Sequence, residues 1–201
     1  MDLIILAGSS GNGKSAVGKR LHGIFKSPFM EFTWIPEFCN KNPHTSITPA
    51  EEERIAFENM MLVSKNYLRH GFKNIILSDF NDVRLLDIPA EFKDYSYAII
   101  TLYSESGESI KNRIIRRMET KKEGEESFDD YDFSIKHNKM IASRKPLPNE
   151  YRVRTDDKPA EAVAENIIGI INKHKPENNY DISRYDRGDY YTCFNGDGFY
   201  K

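Results

Sequence analysis

The chain has 201 residues, with 29 Lys and Arg against 31 Asp and Glu and a formal net charge of −2. This length suits one domain with a substantial core, and the charge balance argues against a nucleic-acid-binding protein. No apolar run approaches the roughly 18–20 residues that a membrane span requires. Cys39 and Cys193 lack metal-site spacing, so we interpret them as reduced and structural. We therefore expect a cytoplasmic protein with no membrane association.

The first predicted elements are a buried strand, a glycine-rich loop and a helix. The apolar run Leu3–Ala7 predicts the strand, and residues 16–25 have the periodicity of a helix. Between them the chain matches G-x-x-x-x-G-K-[ST]. This arrangement directs backbone N–H groups and a helix N-terminus at phosphate. The predicted phosphate-binding residues are Gly8, Ser9, Ser10, Gly11, Asn12, Gly13, Lys14, Ser15 and Ala16.

Two residues of this loop have predicted chemical roles. The Lys14 ammonium would reach the β- and γ-phosphates of a nucleotide as a compact cation. The Ser15 hydroxyl would bind Mg²⁺. The sequence therefore predicts that ATP and Mg²⁺ bind at the start of the chain.

Strand-like and helix-like segments alternate along the rest of the chain. In order, we predict strands or helices over residues 29–34, 49–69, 74–79, 97–103, 106–118, 151–155 and 159–173. Alternating β and α segments predict an α/β fold, a three-layer α/β/α sandwich with a five-stranded parallel sheet. Ligands of such sheets bind beyond the carboxyl ends of the strands, where the glycine loop and Asp79 lie.

Two regions depart from the alternation. Residues 119–132 are highly charged and poor in aliphatic side chains, which predicts an exposed segment within a helical lid over about residues 113–140. Residues 176–201 form an aromatic-rich extension beyond a main domain of residues 1–175. In it Asn195-Gly196 predicts a hairpin turn. The extension either folds back onto the domain or forms a partner or oligomer surface.

The glycine loop, the alternation and the basic helix before a charged segment resemble P-loop kinases of nucleoside monophosphates and small metabolites. The resemblance covers residues 2–173, and its most specific part is the glycine loop. These kinases carry Arg-x-x-x-Arg on a lid helix, and Arg113 and Arg117 match that spacing. The resemblance implies that Arg113 packs near the nucleotide base and Arg117 contacts the transferring phosphate. Since residues four apart share a helix face, the alternative is a solvated basic surface.

The resemblance also implies a second carboxylate at the nucleotide site. Asp79 closes a predicted strand, as that carboxylate does in these kinases. It would hold Mg²⁺ through water or accept a proton from an attacking hydroxyl. The alternative is an ordinary turn or helix-cap aspartate.

The acceptor site is expected between the second strand and the long helix from Pro49. The candidate substrate-binding residues are Glu31, Thr33, Trp34 and Glu37. Strand alternation would place Glu31 and Thr33 on one face and Trp34 on the other. The Trp34 ring would either stack on a substrate or belong to the core.

The predicted function is ATP-dependent transfer of the γ-phosphoryl group to a small-molecule acceptor, which is a nucleoside monophosphate or a metabolite or antibiotic hydroxyl. One alternative is a polynucleotide or RNA-end kinase, although the net charge argues against a basic groove. Another is a P-loop ATPase or GTPase. Asn40-Lys41 and Asn138-Lys139 begin a guanine-reading Asn-Lys-x-Asp but lack its aspartate.

Overall fold

The computed structural model describes residues 1–35, 47–121, 130–177 and 180–191. These residues form one all-parallel sheet with the strand order β2-β3-β1-β4-β5. The strands are β1 (Leu3–Ala7), β2 (Phe29–Glu31), β3 (Ile75–Ser78), β4 (Tyr97–Tyr103) and β5 (Glu150–Arg154). The predicted α/β class and five-stranded parallel sheet are confirmed.

Helices cover both faces of this sheet. The described α-helices are α1 (Lys14–Phe25), α2 (Pro49–Arg69), α3 (Ile88–Glu91), α4 (Gly107–Thr120), α5 (Tyr131–Ser143) and α6 (Ala160–Ile171). Side chains of α1 and α6 share one apolar core with the sheet, and those of α2 and α3 share the other. Because both faces are covered, the central strands are almost wholly apolar, and every residue of β1 is buried. No helix in the described ranges is long and apolar enough to cross a membrane.

The long helix α2 begins and ends where the sequence predicts. The Thr48 hydroxyl accepts from the Glu51 N–H at 3.3 Å, and a Glu51 carboxylate oxygen accepts from the Thr48 N–H at 2.8 Å. This reciprocal capping box, with Pro49 as the first helical residue, fixes the start of the helix.

The second strand is shorter than predicted. β2 ends at Glu31, and Phe32–Trp34 form a 3₁₀-helix instead of extending the strand. β2 lies at the edge of the sheet that the described residues form, and its neighbour β3 ends at Ser78, the residue paired with Glu31. Beyond that pair, β3 offers β2 no further backbone hydrogen-bond partner among the described residues. The predicted alternation of Glu31, Thr33 and Trp34 along a strand is therefore wrong.

The carboxy-terminal segment, residues 180–191, packs along the face that holds α2 and α3. Tyr190 is 3% exposed, and Tyr180 and Tyr185 pack against the same core. The Tyr180 hydroxyl lies 3.2 Å from that of Tyr97. This described part of the extension thus folds back onto the sheet. The predicted hairpin at Asn195-Gly196 lies outside the described residues.

A buried ion cluster joins three elements beneath this segment. The Arg144 guanidinium, 1% exposed, lies 2.8 Å from both the Asp82 and the Glu150 carboxylate. Asp82 follows β3, Arg144 follows α5 and Glu150 begins β5. The Tyr190 ring covers the guanidinium, with 4.4 Å between the guanidinium carbon and the ring centroid. The cluster thus fixes these elements near the carboxyl end of β3.

Candidate active site at the glycine loop

The glycine loop lies between β1 and α1, as predicted, and its backbone depends on glycine. Gly8, Gly11 and Gly13 have φ angles of 125°, 82° and 85°, a region that other residues rarely adopt. A Cβ on Gly8 would also lie 2.2 Å from the Leu102 carbonyl oxygen. Gly13 is the N-cap of α1, no side chain of the described residues caps the helix, and its first turn holds no acid. This helix end is therefore open to an external anion.

Lys14 is held at the loop by three oxygen atoms. Its Nζ donates to the Gly8 carbonyl at 2.8 Å and to the Ser9 carbonyl at 3.2 Å. The Asp79 carboxylate lies 3.2 Å from the same nitrogen. The Lys14 side chain is only 10% exposed, whereas that of Asp79 is 36% exposed. The structure therefore brings together two residues that the sequence placed at the site separately.

The position of Asp79 departs from ordinary backbone geometry. It follows β3 with a φ of 77°, in the left-handed region. A non-glycine residue held there costs about 1–3 kcal/mol and persists only where its surroundings fix it. The turn directs the carboxylate to Lys14. The Ser15 side chain, the other predicted metal ligand, is exposed at the first turn of α1.

Asn12 connects the loop to α5, a contact that the sequence did not predict. Its Nδ2 donates to Ser9 Oγ at 2.8 Å within the loop and to Asn138 Oδ1 at 2.9 Å on α5. Asn138 also accepts from the Ser104 N–H at 3.1 Å and donates to the Ser104 carbonyl at 2.7 Å. One buried amide on α5 therefore clamps both the glycine loop and the turn after β4. Asn138 carries no local signal for this role, since its partners are distant in sequence.

The two predicted arginines both face the glycine loop. Arg113 Nη1 lies 3.4 Å from the Gly11 carbonyl and donates to Thr155 Oγ1 at 3.0 Å. A second nitrogen of Arg113 donates to the Thr155 carbonyl. Arg117 Nη2 donates to Ser10 Oγ at 3.2 Å and is more exposed. The structure thus places Arg113 against the loop after β5 and Arg117 over the opening of the glycine loop.

The loop after β5 is itself fixed by Asp156. This carboxylate accepts from the N–H groups of Glu105 at 2.9 Å and Ser106 at 3.2 Å, and from the Ser104 hydroxyl. Burial alone would raise the pKa of Asp156, but these hydrogen bonds and Arg154 hold it well below its usual range. The carboxylate therefore stays ionised and joins the turns that follow β4 and β5.

The predicted acceptor residues separate into a buried one and two exposed ones. Glu31 is 9% exposed, and its Oε1 has no hydrogen-bond partner among the described residues. Its register partner Ser78, which precedes Asp79, has a buried hydroxyl that also lacks one. Trp34 is 54% exposed and packs edge-on against Phe29, so it is not a core residue. Thr33 is exposed, and Glu37 lies outside the described residues.

His137, on α5 beside Asn138, was not predicted either. It is 9% exposed, and its Nε2 has no hydrogen-bond partner within the described ranges. Burial, followed by the positive charges of Lys14 and Arg144, lowers the pKa of His137 to about 3. The imidazole is therefore neutral at physiological pH, and it lies beside Asn138, the residue that contacts the glycine loop.

Comparisons with known proteins find the same fold in solved kinase structures. No protein-family model matches the chain, and no curated protein matches its sequence. A sugar kinase from a Janibacter species is similar over 86% of this chain and 95% of its own, with a TM-score of 0.58 and 17% identity. A gluconokinase from Sinorhizobium meliloti is similar over 86% and 93%, with a TM-score of 0.58 and 15% identity.

A third similar structure carries a ligand. The shikimate kinase from Acinetobacter baumannii in complex with shikimate is similar over 86% of this chain and 94% of its own, with a TM-score of 0.51 and 17% identity. At these identities the likeness concerns the backbone. The chain has the fold of the P-loop small-molecule kinases.

Proposed function

We propose that this protein is an ATP-dependent phosphotransferase that moves the γ-phosphoryl group to a small-molecule acceptor. The observation that carries the proposal is the position of Lys14, which lies 2.8 Å from the Gly8 carbonyl and 3.2 Å from Asp79. Here one cation stands at the mouth of a loop whose helix end is uncapped. The oxygens of a bound triphosphate would accept hydrogen bonds from the Lys14 ammonium in place of the loop's carbonyl oxygens.

The acceptor oxygen would attack the γ-phosphorus while the bond to the β–γ bridging oxygen breaks, and ADP would leave. Loop N–H groups and Lys14 would stabilise the charge on the phosphoryl oxygens. Arg117, which already reaches Ser10, would contact the same oxygens, and Arg113 would hold the base side of the site. Asp79 would either accept the hydroxyl proton or hold Mg²⁺ through water.

The residues present fit a magnesium ion. Mg²⁺ keeps several waters and takes one or two protein oxygens together with substrate phosphates. Ser15 and Asp79 would hold it, and Glu31 would add a buried carboxylate oxygen that has no partner among the described residues. No group of three or more His, Cys, Asp or Glu side chains in those ranges could hold a metal alone. The ion would neutralise phosphate charge when it binds with the nucleotide.

A nucleotide-binding measurement tests the role of Lys14 against that of another lysine on the same helix. Mg·ATP at 100 times its Kd should stabilise the wild type by about 2.7 kcal/mol, seen as a rise in Tm. Lys14→Ala should abolish the rise, whereas Lys19→Ala, an exposed change on the same helix, should retain it. An equal rise in all three proteins would exclude Lys14 from the site.

Turnover with a panel of acceptors tests the reaction. Nucleoside monophosphates, sugars, gluconate, shikimate, aminocyclitols and 5′-hydroxyl oligonucleotides should be tested one at a time with Mg·ATP. We expect ADP to form only with a small-molecule acceptor. Product with oligonucleotides alone would favour a polynucleotide kinase, and ADP formation without an acceptor would favour an ATPase.

Turnover of Arg117→Ala, measured in the same assay, tests the role of that arginine. Turnover should fall by about 100-fold or more, since the lost guanidinium acts on charge in the transition state. ATP binding should change little. Asn112→Ala, an exposed change on the same helix, is the control. Unchanged turnover in Arg117→Ala would assign that arginine to a solvated helix surface.

A further inference from the structure

The carboxy-terminal segment (residues 180–191) runs from one end of the sheet to the other. It starts beside Tyr97, the first residue of β4, where the hydroxyls of Tyr97 and Tyr180 meet at 3.2 Å. It ends at the opposite, carboxyl end, where the Tyr191 carbonyl accepts from the Val83 N–H at 3.0 Å. That end of the sheet carries the glycine loop. The segment therefore joins the back of the domain to its candidate active site.

Its final described residue packs directly on α5. The Tyr191 ring lies 3.9 Å from the His137 ring and 5.2 Å from the Phe133 ring, measured between centroids. His137 is buried, and no hydrogen bond from a described residue fixes its Nε2. Aromatic packing against Tyr191 therefore helps to fix this side of α5.

The next residue of α5 transmits that position to the glycine loop. Asn138 accepts from Asn12 at 2.9 Å, and Asn12 donates in turn to Ser9 at 2.8 Å. Asn12 is 1% exposed, so the loss of Asn138 would remove the partner of a buried donor. A shift of α5 would thus alter the loop that is proposed to enclose the phosphates.

Tyr191 also contacts the chain that follows β3. Val83, which donates to its carbonyl, belongs to the 3₁₀-helix Asp82–Leu86 that follows Asp79. Asp79 is the ion-pair partner of Lys14. One residue of the carboxy-terminal segment therefore contacts both elements that flank the glycine loop, α5 and the chain after β3.

We propose that Tyr191 is a positioning residue for the nucleotide site, which acts on the glycine loop through α5 and Asn138. The inference rests on the proposed function in one respect, that the loop binds ATP. It adds that nucleotide affinity depends on the carboxy-terminal segment.

Calorimetric titration of the full chain with Mg·AMP-PNP tests the proposal. Tyr191→Ala should weaken binding by about 5- to 30-fold, whereas Tyr191→Phe, which keeps the ring, should bind like the wild type. Tyr180→Phe is the matched control, since it changes the same segment at the far end of the sheet. Circular dichroism should confirm that each variant is folded. If Tyr191→Ala does not fold, Tyr191→Leu replaces it with the same expected loss.

A double-mutant cycle tests the route through Asn138. If Tyr191 acts through that amide, Tyr191→Ala should weaken AMP-PNP binding much less in an Asn138→Ala background than in the wild type. Equal losses in both backgrounds, or unchanged affinity in Tyr191→Ala, would overturn the inference alone. A wild-type chain that does not bind Mg·AMP-PNP would overturn the proposed function as well.

Discussion

The glycine loop and the region around α5 meet at the same site but are specified differently. In the loop, three glycines with positive φ within six residues set the backbone, and the chemistry lies on adjacent positions. Around α5, the contacts join residues far apart in sequence. Asn12 and Asn138 are 126 positions apart, and Arg144 and Asp82 are 62 apart. The loop is therefore a local pattern, whereas its support is a product of the tertiary fold.

This difference bears on what each region contributes. The loop offers backbone donors and one cation, which suit many phosphate ligands equally. The support decides whether those donors hold their positions, because Asn138 and Asp79 bind the loop from two sides. Substitutions in the loop and substitutions in its support should therefore have different effects on stability.

The largest effect is expected in the buried ion cluster. Arg144→Met leaves the Asp82 and Glu150 carboxylates, both at most 2% exposed, without their cation. Such a loss costs about 3–5 kcal/mol, measured by urea unfolding at pH 7. The control is Arg20→Met, which breaks an exposed ion pair with Glu161 and should cost at most about 1 kcal/mol. Similar costs would show that the cluster does not hold the support together.

A smaller loss is expected in the loop itself. Gly8→Ala forces a Cβ to within 2.2 Å of the Leu102 carbonyl oxygen at a φ of 125°. Strain and overpacking together predict a loss of about 2–4 kcal/mol. Gly23→Ala, on α1 with no atom within 4 Å of the new Cβ, should instead gain about 0.5–1 kcal/mol. Thermal unfolding of the two variants should move Tm in opposite directions.

The pH dependence of stability reports on α5. The pKa of His137 is lowered to about 3 by burial and by Lys14 and Arg144, so below about pH 6.5 the unfolded chain binds a proton that the folded chain does not. The contribution of the neutral His137 side chain to the free energy of unfolding is therefore complete above about pH 6.5. It is lost as the pH falls towards 3, by about 1.4 kcal/mol per pH unit.

His137→Gln should remove this dependence, and urea unfolding of both proteins between pH 7.5 and 4.5 measures it. The lowered pKa of His174 acts in the same direction but is common to both proteins. Asp156 loses its contribution only below the ordinary carboxylate range. Identical slopes in the two proteins would show that His137 is not buried neutral.

The smallest effect is expected at the far end of the carboxy-terminal segment. Tyr180→Phe removes the hydroxyl that meets Tyr97, which should cost about 0.5–1.5 kcal/mol. Tyr67→Phe, which leaves this contact intact, serves for comparison. A loss of several kcal/mol in Tyr180→Phe would mean that this end, and not Tyr191, anchors the segment.

The sequence predicted those parts of the fold that depend on local pattern. Apolar runs located the strands, and Thr48 with Pro49 located the start of α2. The end of β2 was missed, because it depends on where its neighbour β3 stops and not on its own aromatic residues.

The candidate site divides in the same way. Lys14 and Asp79 could be placed from the loop motif and the end of a strand, and the structure pairs them. His137 and Asn138 could not be placed from the sequence. Each looks like an ordinary polar residue on a helix, and its partners are distant in the chain. The roles of Arg113 and Arg117 stay predictions, although both reach the loop.

The path of the carboxy-terminal segment has a consequence for biosynthesis. The glycine loop is translated well before Tyr191, the residue that packs on His137. Until then one flank of α5 stays uncovered, and an interrupted polypeptide would expose aromatic surface beside an incompletely braced loop. Quality-control proteases and chaperones would therefore distinguish nascent or truncated chains from the folded protein.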